Sequence, residues 1–164
     1  MPTRKAIRAI SMGMREISIG SEMYRRAYAA ELGLAPVEVV VMGHLYTAAG
    51  PLTPRAIANL IGFTTGSTTA VLNRVERAGY LARKANPADG RSFLIALTPG
   101  GRHAMDWVYE QLDKHVSEAL AHFPPEELLY LAPLMTALGT YMRNATPLDD
   151  DIAGEDEGDI RLSR

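Results

Sequence analysis

The chain has 164 residues and a formal net charge of −2, and 47% of its residues are hydrophobic against 22% charged. These values are typical of a soluble globular protein with its own core, and no apolar run approaches the ~20 residues of a membrane span. Because the N-terminus lacks the apolar stretch of a signal peptide, we expect a cytoplasmic protein. The absence of cysteine excludes disulfides, cysteine-ligated zinc and a thiol redox switch.

Helical spacing and end signals predict four helices in the first half of the chain. The first three cover residues 5–32, 36–48 and 54–61, and the fourth is capped by Thr64 or Thr65 and runs to Ala78. Gly33 ends the first helix, and Pro36 suits the first turn of the second. Thr53 provides a capping hydroxyl directly before Pro54, which is a strong start signal for the third helix. The third helix stops at Gly62, and the fourth follows after a short turn, which is the helix-turn-helix pattern.

The second half of the chain begins with two strand-like runs, at residues 81–85 and 92–97, joined by a turn-rich tip. Two further helices are predicted from Pro99 to about His122 and from Pro125 to about Asn144. The fold class is therefore mostly α with a small β-hairpin wing, a winged helix-turn-helix between flanking helices. The predicted organisation is N-terminal helices at 1–48, the winged unit at 49–100, C-terminal helices at 101–146 and an acidic tail, expected to be disordered, at 147–164.

The charges are distributed unevenly along the chain. Residues 55–102 contain seven arginines or lysines and two acidic residues, whereas residues 148–164 contain seven acidic residues and two arginines. A basic middle segment is suited to facing phosphates, and the acidic end is a separate feature of the chain.

Four short motifs in the middle of the chain resemble those of the MarR family of transcription regulators. Residues 52–60 (Leu-Thr-Pro-Arg-Ala-Ile-Ala-Asn-Leu) are similar to the helix before the family's recognition helix, and residues 72–81 are similar to the end of that helix. Residues 89–92 resemble its wing-tip Asp-x-Arg motif, and residues 97–102 resemble its Leu-Thr-x-x-Gly-Arg junction. Four motifs in this order and spacing imply a dimeric regulator that reads double-stranded DNA and has no enzymatic activity.

The residues of the fourth helix fit a recognition helix. Its first turns carry small hydroxyl side chains, which bond phosphate oxygens or base edges, and threonine methyl groups, which contact thymine. The free N–H groups of the helix start add positive partial charge. We therefore predict DNA contacts from Thr65, Ser67, Thr68 and Thr69, and the resemblance implies further contacts from Asn73 and Arg74. A simple capping loop is the alternative interpretation of the threonine-rich stretch.

The hairpin is predicted to supply the second DNA contact. Arg91 is a permanent cation at the hairpin tip, suited to the narrow minor groove, and the resemblance implies that Asp89 orients its guanidinium. A surface ion pair in an ordinary Asp-Gly turn is the alternative. Arg83 and Lys84 on the strands, and Arg55 on the third helix, are expected to contact phosphates without reading sequence.

The flanking helices expose more apolar surface than a winged unit can cover, which predicts a homodimer, with packing of these helices within one chain as the alternative. A two-fold dimer predicts a pseudo-palindromic operator, with recognition helices roughly 34–36 Å apart. We expect a repressor rather than an activator because the family leans that way.

The family resemblance also implies a small aromatic or anionic effector. The candidate ligand residues are Arg15, Tyr24, Tyr28, His44, Tyr46, His103 and Trp107. The simpler interpretation, that Tyr24 and Tyr28 are core residues and His44 lies on a helix surface, is favoured because no spacing fixes these groups around a ligand. No cofactor and no metal are expected, since no phosphate loop, nucleophile elbow or tight His/Asp/Glu cluster is present. A winged helix used only for protein contacts is the rival interpretation of the whole chain.

Overall fold

A computed structural model describes residues 2–87 and 92–145 of the chain. The elements in chain order are α1 (Arg4–Glu31), α2 (Pro36–Thr47), α3 (Pro54–Ile61), α4 (Thr65–Arg77), β1 (Leu81–Ala85), β2 (Phe93–Leu97), α5 (Pro99–Leu120) and α6 (Pro125–Asn144). The predicted order and types of these elements are confirmed, and their ends differ from the predicted ones by at most two residues. The predicted acidic tail at 147–164, and Asp89 and Arg91 at the hairpin tip, lie outside the described residues.

The chain divides into two compact units, Met1–Val116 and Ser117–Arg164. The core of the first unit is centred on α2, which contacts α1, α3, α4 and β2. Met42 of α2, Ile57 of α3, Leu72 of α4 and Ile95 of β2 are each at most 2% exposed. Burial of large aliphatic side chains of this kind contributes about 1.5–3 kcal/mol each, so α2 holds the helix-turn-helix and the hairpin in one packed body.

The hairpin is antiparallel, with Leu81 opposite Leu97 and Arg83 opposite Ile95. Leu52, just before α3, forms an antiparallel bridge with Ile95 of β2. Its N–H donates to the carbonyl of Ile95 at 3.0 Å and its carbonyl accepts from the N–H of Ile95 at 2.7 Å. The segment that precedes the helix-turn-helix is therefore bonded directly to the strand that leads out of the wing.

The start of α5 is tied to the end of α4 through Thr98. The Thr98 hydroxyl donates to the carbonyl of Gly79 at 2.7 Å and accepts from the N–H of Gly101 at 3.0 Å. The Thr98 N–H donates to the carbonyl of Tyr80 at 3.0 Å. Gly101 is buried directly against that carbonyl, where a side chain has no room. This junction explains in physical terms why threonine and glycine occupy these positions.

In the second unit, α6 buries none of its described residues. Its large apolar side chains are solvent-exposed, with Tyr130 at 78% and Leu134 at 59%. Within the first unit, α1 likewise exposes Ile7, Ile10 and Ile17 at about half of their surface. Large apolar side chains exposed along a helix favour an interaction surface.

Among the described residues, no single helix is long and apolar enough to cross a membrane, and α1 with α2 reaches that length and composition only as a pair bent by 95°.

Candidate nucleic-acid interface and ligand pocket

Capping residues define both ends of α3 and the start of α4. The Thr53 hydroxyl accepts from the N–H of Ala56 at 3.2 Å, and α3 stops at Gly62, whose φ of +67° is a left-handed conformation that glycine adopts without strain. Two residues later the Thr64 hydroxyl accepts from the N–H of Ser67 at 3.3 Å and so caps α4. The helix-turn-helix is thus formed by short-range signals, and the start of α4 lies at the surface.

The first two turns of α4 carry hydroxyl side chains on its outer side. Thr65, Ser67 and Thr69 are exposed, as predicted for side chains that reach DNA. Thr68 is 1% exposed, and its hydroxyl donates to the carbonyl of Thr64 at 2.9 Å. The prediction that Thr68 contacts DNA is therefore wrong, because helical periodicity turns this position into the core beside Val71 and Leu72.

Arg74 of α4 forms an ion pair with a carboxylate that the sequence analysis did not select. Its Nε donates to Oε1 of Glu38, a residue of α2 that is 3% exposed. The second carboxylate oxygen of Glu38 accepts from the N–H of Ala35 at 2.8 Å and so satisfies the first turn of α2. Glu38 therefore couples the start of α2 to the second half of α4. The sequence offers only a helix-start signal here, because the partner lies 36 residues further along the chain.

We expect Glu38→Gln to destabilise the fold by about 1–3 kcal/mol. Glutamine keeps the size of the side chain but loses the charge, and its amide cannot accept from both Ala35 and Arg74. The loss is limited because the Arg74 side chain is 46% exposed and water replaces part of the pairing. Chemical denaturation is the measurement, with the exposed Glu31→Gln at the end of α1 as the matched control. Equal stability of the two variants would show that the ion pair contributes nothing.

Arg83 of β1 connects the wing to α4. Its Nε donates to Oε2 of Glu76 at 2.9 Å, and a terminal guanidinium nitrogen donates to Oδ1 of Asn73. The guanidinium also lies 5.2 Å from the ring centroid of Phe93 on β2, within cation–π range. Asn73 and Arg83, both predicted as DNA contacts, bind each other here, and the base of the wing is held against the recognition helix.

Two further predicted cations lie within the described residues and are exposed. Arg55 on α3 and Lys84 on β1 both face solvent. Arg77 on α4, which the sequence analysis did not select, is also exposed, and its Nε donates to the carbonyl of Asn73 at 3.2 Å. Its position one turn beyond Asn73 on the same helix was the signal that could have identified it.

The candidate ligand residues do not form one site: Tyr24, Tyr28 and His44 pack in or beside the core, and Arg15 lies apart on the surface. Tyr28 is buried, with its ring centroid 3.9 Å from that of Tyr24, whose hydroxyl donates to the carbonyl of Val108 at 3.0 Å. Burial raises the pKa of the Tyr24 phenol above its usual value. His44 on α2 is half-buried, and this burial lowers its pKa. Arg15 is exposed on α1 and pairs with Glu16.

Tyr46, His103 and Trp107 line one pocket of about 640 Å³ in the first unit. The Tyr46 hydroxyl donates to a carboxylate oxygen of Asp106 at 2.6 Å, and this hydrogen bond raises the pKa of Tyr46. The ring of Tyr46 stacks on that of Tyr109, with centroids 5.1 Å apart and planes at 27°. Asp106 and Tyr109 were not predicted from the sequence, although the i, i+3 and i, i+4 spacing of polar and aromatic residues along α5 was an available signal.

A helix-turn-helix followed by a hairpin, with strand-like pairing to the segment before α3, defines a winged helix-turn-helix protein. The MarR family's sequence profile matches residues 32–92. The helix-turn-helix-type transcriptional regulator YcgE of Bacillus subtilis is 31% identical over 115 residues, which is 70% of this chain and 73% of the relative. The chain belongs to the MarR family of transcriptional regulators.

Solved structures share this fold. A MarR family protein from Bacillus stearothermophilus superimposes with a TM-score of 0.75 at 20% identity, over 87% of this chain and 99% of that one. MepR of S. aureus in complex with DNA superimposes with a TM-score of 0.56 at 19% identity, over 76% of this chain and 97% of that one.

Proposed function

We propose that the protein is a homodimeric regulator that binds double-stranded DNA sequence-specifically, represses transcription from a pseudo-palindromic operator in the cytoplasm, and responds to a small ligand. The observation that carries this proposal is the exposed hydroxyl surface at the start of α4. Thr65, Ser67 and Thr69 face outward there, while Thr68 and Val71 anchor the opposite side of the helix in the core.

The chemistry of that surface suits DNA more than protein. Hydroxyl groups donate and accept, so each reaches a phosphate oxygen or a base edge in the major groove. The exposed Arg55, Arg77 and Lys84 supply cations on α3, α4 and β1 around the same helix-turn-helix. Cations of this kind provide sequence-independent affinity that decreases with salt, whereas the hydroxyl side chains provide the sequence preference.

The contacts of Arg83 support a wing that is positioned together with the recognition helix. Because Arg83 bonds to Glu76 and Asn73 on α4, the base of the hairpin is fixed relative to the helix that enters the major groove. This arrangement favours a role for the wing tip in the adjacent minor groove, where we propose that Arg91 inserts, with Asp89 orienting it. Arg83 then acts as a positioning residue rather than a phosphate contact.

Dimerisation is supported by the exposed apolar faces of α1 and of α6, each considered by itself. Covering these faces with a second copy removes the apolar surface from water. The solved complex of MepR with DNA shows that a protein of this fold binds DNA. Two recognition helices related by a two-fold axis would read two half-sites about one helical turn apart.

Fluorescence anisotropy with DNA from upstream of the protein's own gene tests the proposal. We expect tight binding that weakens steeply as salt increases, and about a tenfold loss of affinity in Arg91→Ala with a salt slope smaller by about 2 for a dimer. Ser67→Ala and Thr69→Ala should lower the affinity for that DNA more than the affinity for random DNA, because hydroxyl groups carry the base readout. Arg8→Ala, which removes an exposed cation from α1, is the control and should leave binding unchanged.

A winged helix that contacts only proteins is the alternative function. It predicts that neither upstream nor random DNA binds at any salt concentration, and such a result would overturn the proposal. If both DNAs bind equally well and Arg91→Ala weakens both, DNA binding stands, and selection from genomic fragments then identifies the operator.

A further inference from the structure

The pocket beside Tyr46 has the size and walls of a small-molecule site. Its volume of about 640 Å³ lies in the range of pockets that hold drug-sized ligands. Trp107 and the stacked pair Tyr46 and Tyr109 supply flat aromatic surface. Tyr80, from the segment between α4 and β1, adds a fourth aromatic ring to the lining. Such walls favour a ligand with an aromatic frame.

The charged groups of the lining are predominantly acidic. Asp106, Glu110 and Asp113 contribute three carboxylates along one side of α5. Asp106 accepts a hydrogen bond from the Tyr46 hydroxyl, whereas Glu110 and Asp113 are solvent-exposed. The described lining contains no arginine or lysine, and His103 is its one basic side chain. Arg102 is not part of the lining, although its positive charge acts on the Tyr46 phenol.

We propose that this pocket binds an aromatic organic cation. Carboxylates and aromatic faces both attract positive charge, the former by direct Coulomb interaction and the latter through the ring quadrupole. An anion would meet three carboxylates and no arginine or lysine within the lining, with Arg102 acting on Tyr46 from outside it. The resemblance-based expectation of an anionic effector therefore does not fit this pocket. A metal ion is a poor occupant, since within residues 2–87 and 92–145 no three His, Asp or Glu side chains group closely enough to hold one.

The location of the pocket allows a bound cation to affect the recognition helix, α4. Tyr80 and Gly100 line the pocket, and the carbonyl of Tyr80 accepts from Thr98 at the junction between α4 and α5. A ligand that displaces the Tyr80 ring therefore acts on the segment that fixes the end of α4. This inference rests on the proposed function only in its final step, the effect of the ligand on DNA binding.

The test uses three probes with one biphenyl frame and different charges: biphenyl-4-carboxamidine, biphenyl-4-carboxamide and biphenyl-4-carboxylate. Trp107 is the only tryptophan in the sequence and lines the pocket, so its fluorescence reports binding at this site without DNA. We expect the amidinium to bind at least tenfold more tightly than the carboxylate, with the neutral amide between them. The double variant Glu110→Gln/Asp113→Asn should weaken the amidinium about tenfold and leave the amide unchanged.

Glu118→Gln, an exposed carboxylate on α5 outside the lining, is the matched control and should bind all three probes like the unmodified protein. Equal or tighter binding of the carboxylate probe would overturn the proposal, as would an unaltered amidinium affinity in the double variant. DNA affinity is measured separately by anisotropy. Failure of the cation to bind while the operator still binds would therefore reject the ligand class and leave the proposed regulator intact.

Discussion

Replacing Gly101 by alanine should destabilise the protein by about 3 kcal/mol. A Cβ at this position would stand 2.1 Å from the carbonyl oxygen of Tyr80 and 2.9 Å from its carbonyl carbon, far inside van der Waals contact. The obstacle is backbone, and the Tyr80 carbonyl is held by the N–H of Thr98 at 3.0 Å, so it cannot rotate away without breaking that bond. The better helix propensity of alanine offsets only about 1 kcal/mol of this cost.

Gly100→Ala is the matched control, because it places the same methyl group one residue earlier in the same helix. The nearest atoms to a Cβ there are the Thr98 hydroxyl oxygen at 3.7 Å and the Gly79 carbonyl oxygen at 4.0 Å, which is ordinary contact. We expect Gly100→Ala to be neutral or stabilising by up to about 1 kcal/mol. Urea denaturation of both variants gives the comparison, and equal stability would show that the junction between α4 and α5 relaxes freely.

Replacing Leu134 by aspartate should raise the dimer dissociation constant by about a thousandfold. Leu134 is 59% exposed on α6, and a two-fold interface contains it twice. Losing two leucine burials of about 2 kcal/mol each corresponds to this factor, and burying the two carboxylates would add to it. Sedimentation velocity across a dilution series measures the change. Operator affinity should decrease in parallel, because one monomer reads only one half-site.

Leu134→Met is the control for this prediction, since it keeps an apolar side chain of similar volume and should retain the dimer. The described residues of α6 are not buried within the chain, so Leu134→Asp should leave the helical circular dichroism of the monomer largely unchanged. A variant that stays dimeric at every concentration would place the interface away from α6 and leave the exposed face of α1 as the remaining candidate.

Arg74 could affect DNA affinity in two ways, by positioning α4 or by contacting phosphate, and two variants distinguish them. If Arg74 acts by holding α4 against α2, Arg74→Ala and Glu38→Gln should lower operator affinity to a similar extent, because both break the same ion pair. If Arg74 also contacts phosphate, Arg74→Ala should lower affinity further and reduce the salt slope by about one per subunit. The two variants measured side by side distinguish positioning from direct contact.

The sequence by itself determined the secondary structure of the helix-turn-helix and the order of the elements around it. Thr53 with Pro54, Gly62 and Thr64 are local signals that need no tertiary contact, and α3 accordingly has its predicted ends. Family motifs at 52–60 and 97–102 led to the same fold. The hydroxyl side chains at the start of α4 were also identified from the sequence. Thr68 was grouped with them, although its spacing from Val71, Leu72 and Val75 places it on the buried face of the helix.

Only the tertiary structure decided what the charged side chains do. Glu38 and Arg74 are 36 residues apart in the sequence, and Asn73 and Arg83 are 10 apart. No local sequence pattern predicts either pair. The contact of Gly101 with the Tyr80 carbonyl has the same origin. A cap or an amphipathic stripe is produced by neighbours within a few residues, whereas an ion pair or a pocket requires segments that meet only when the chain has folded.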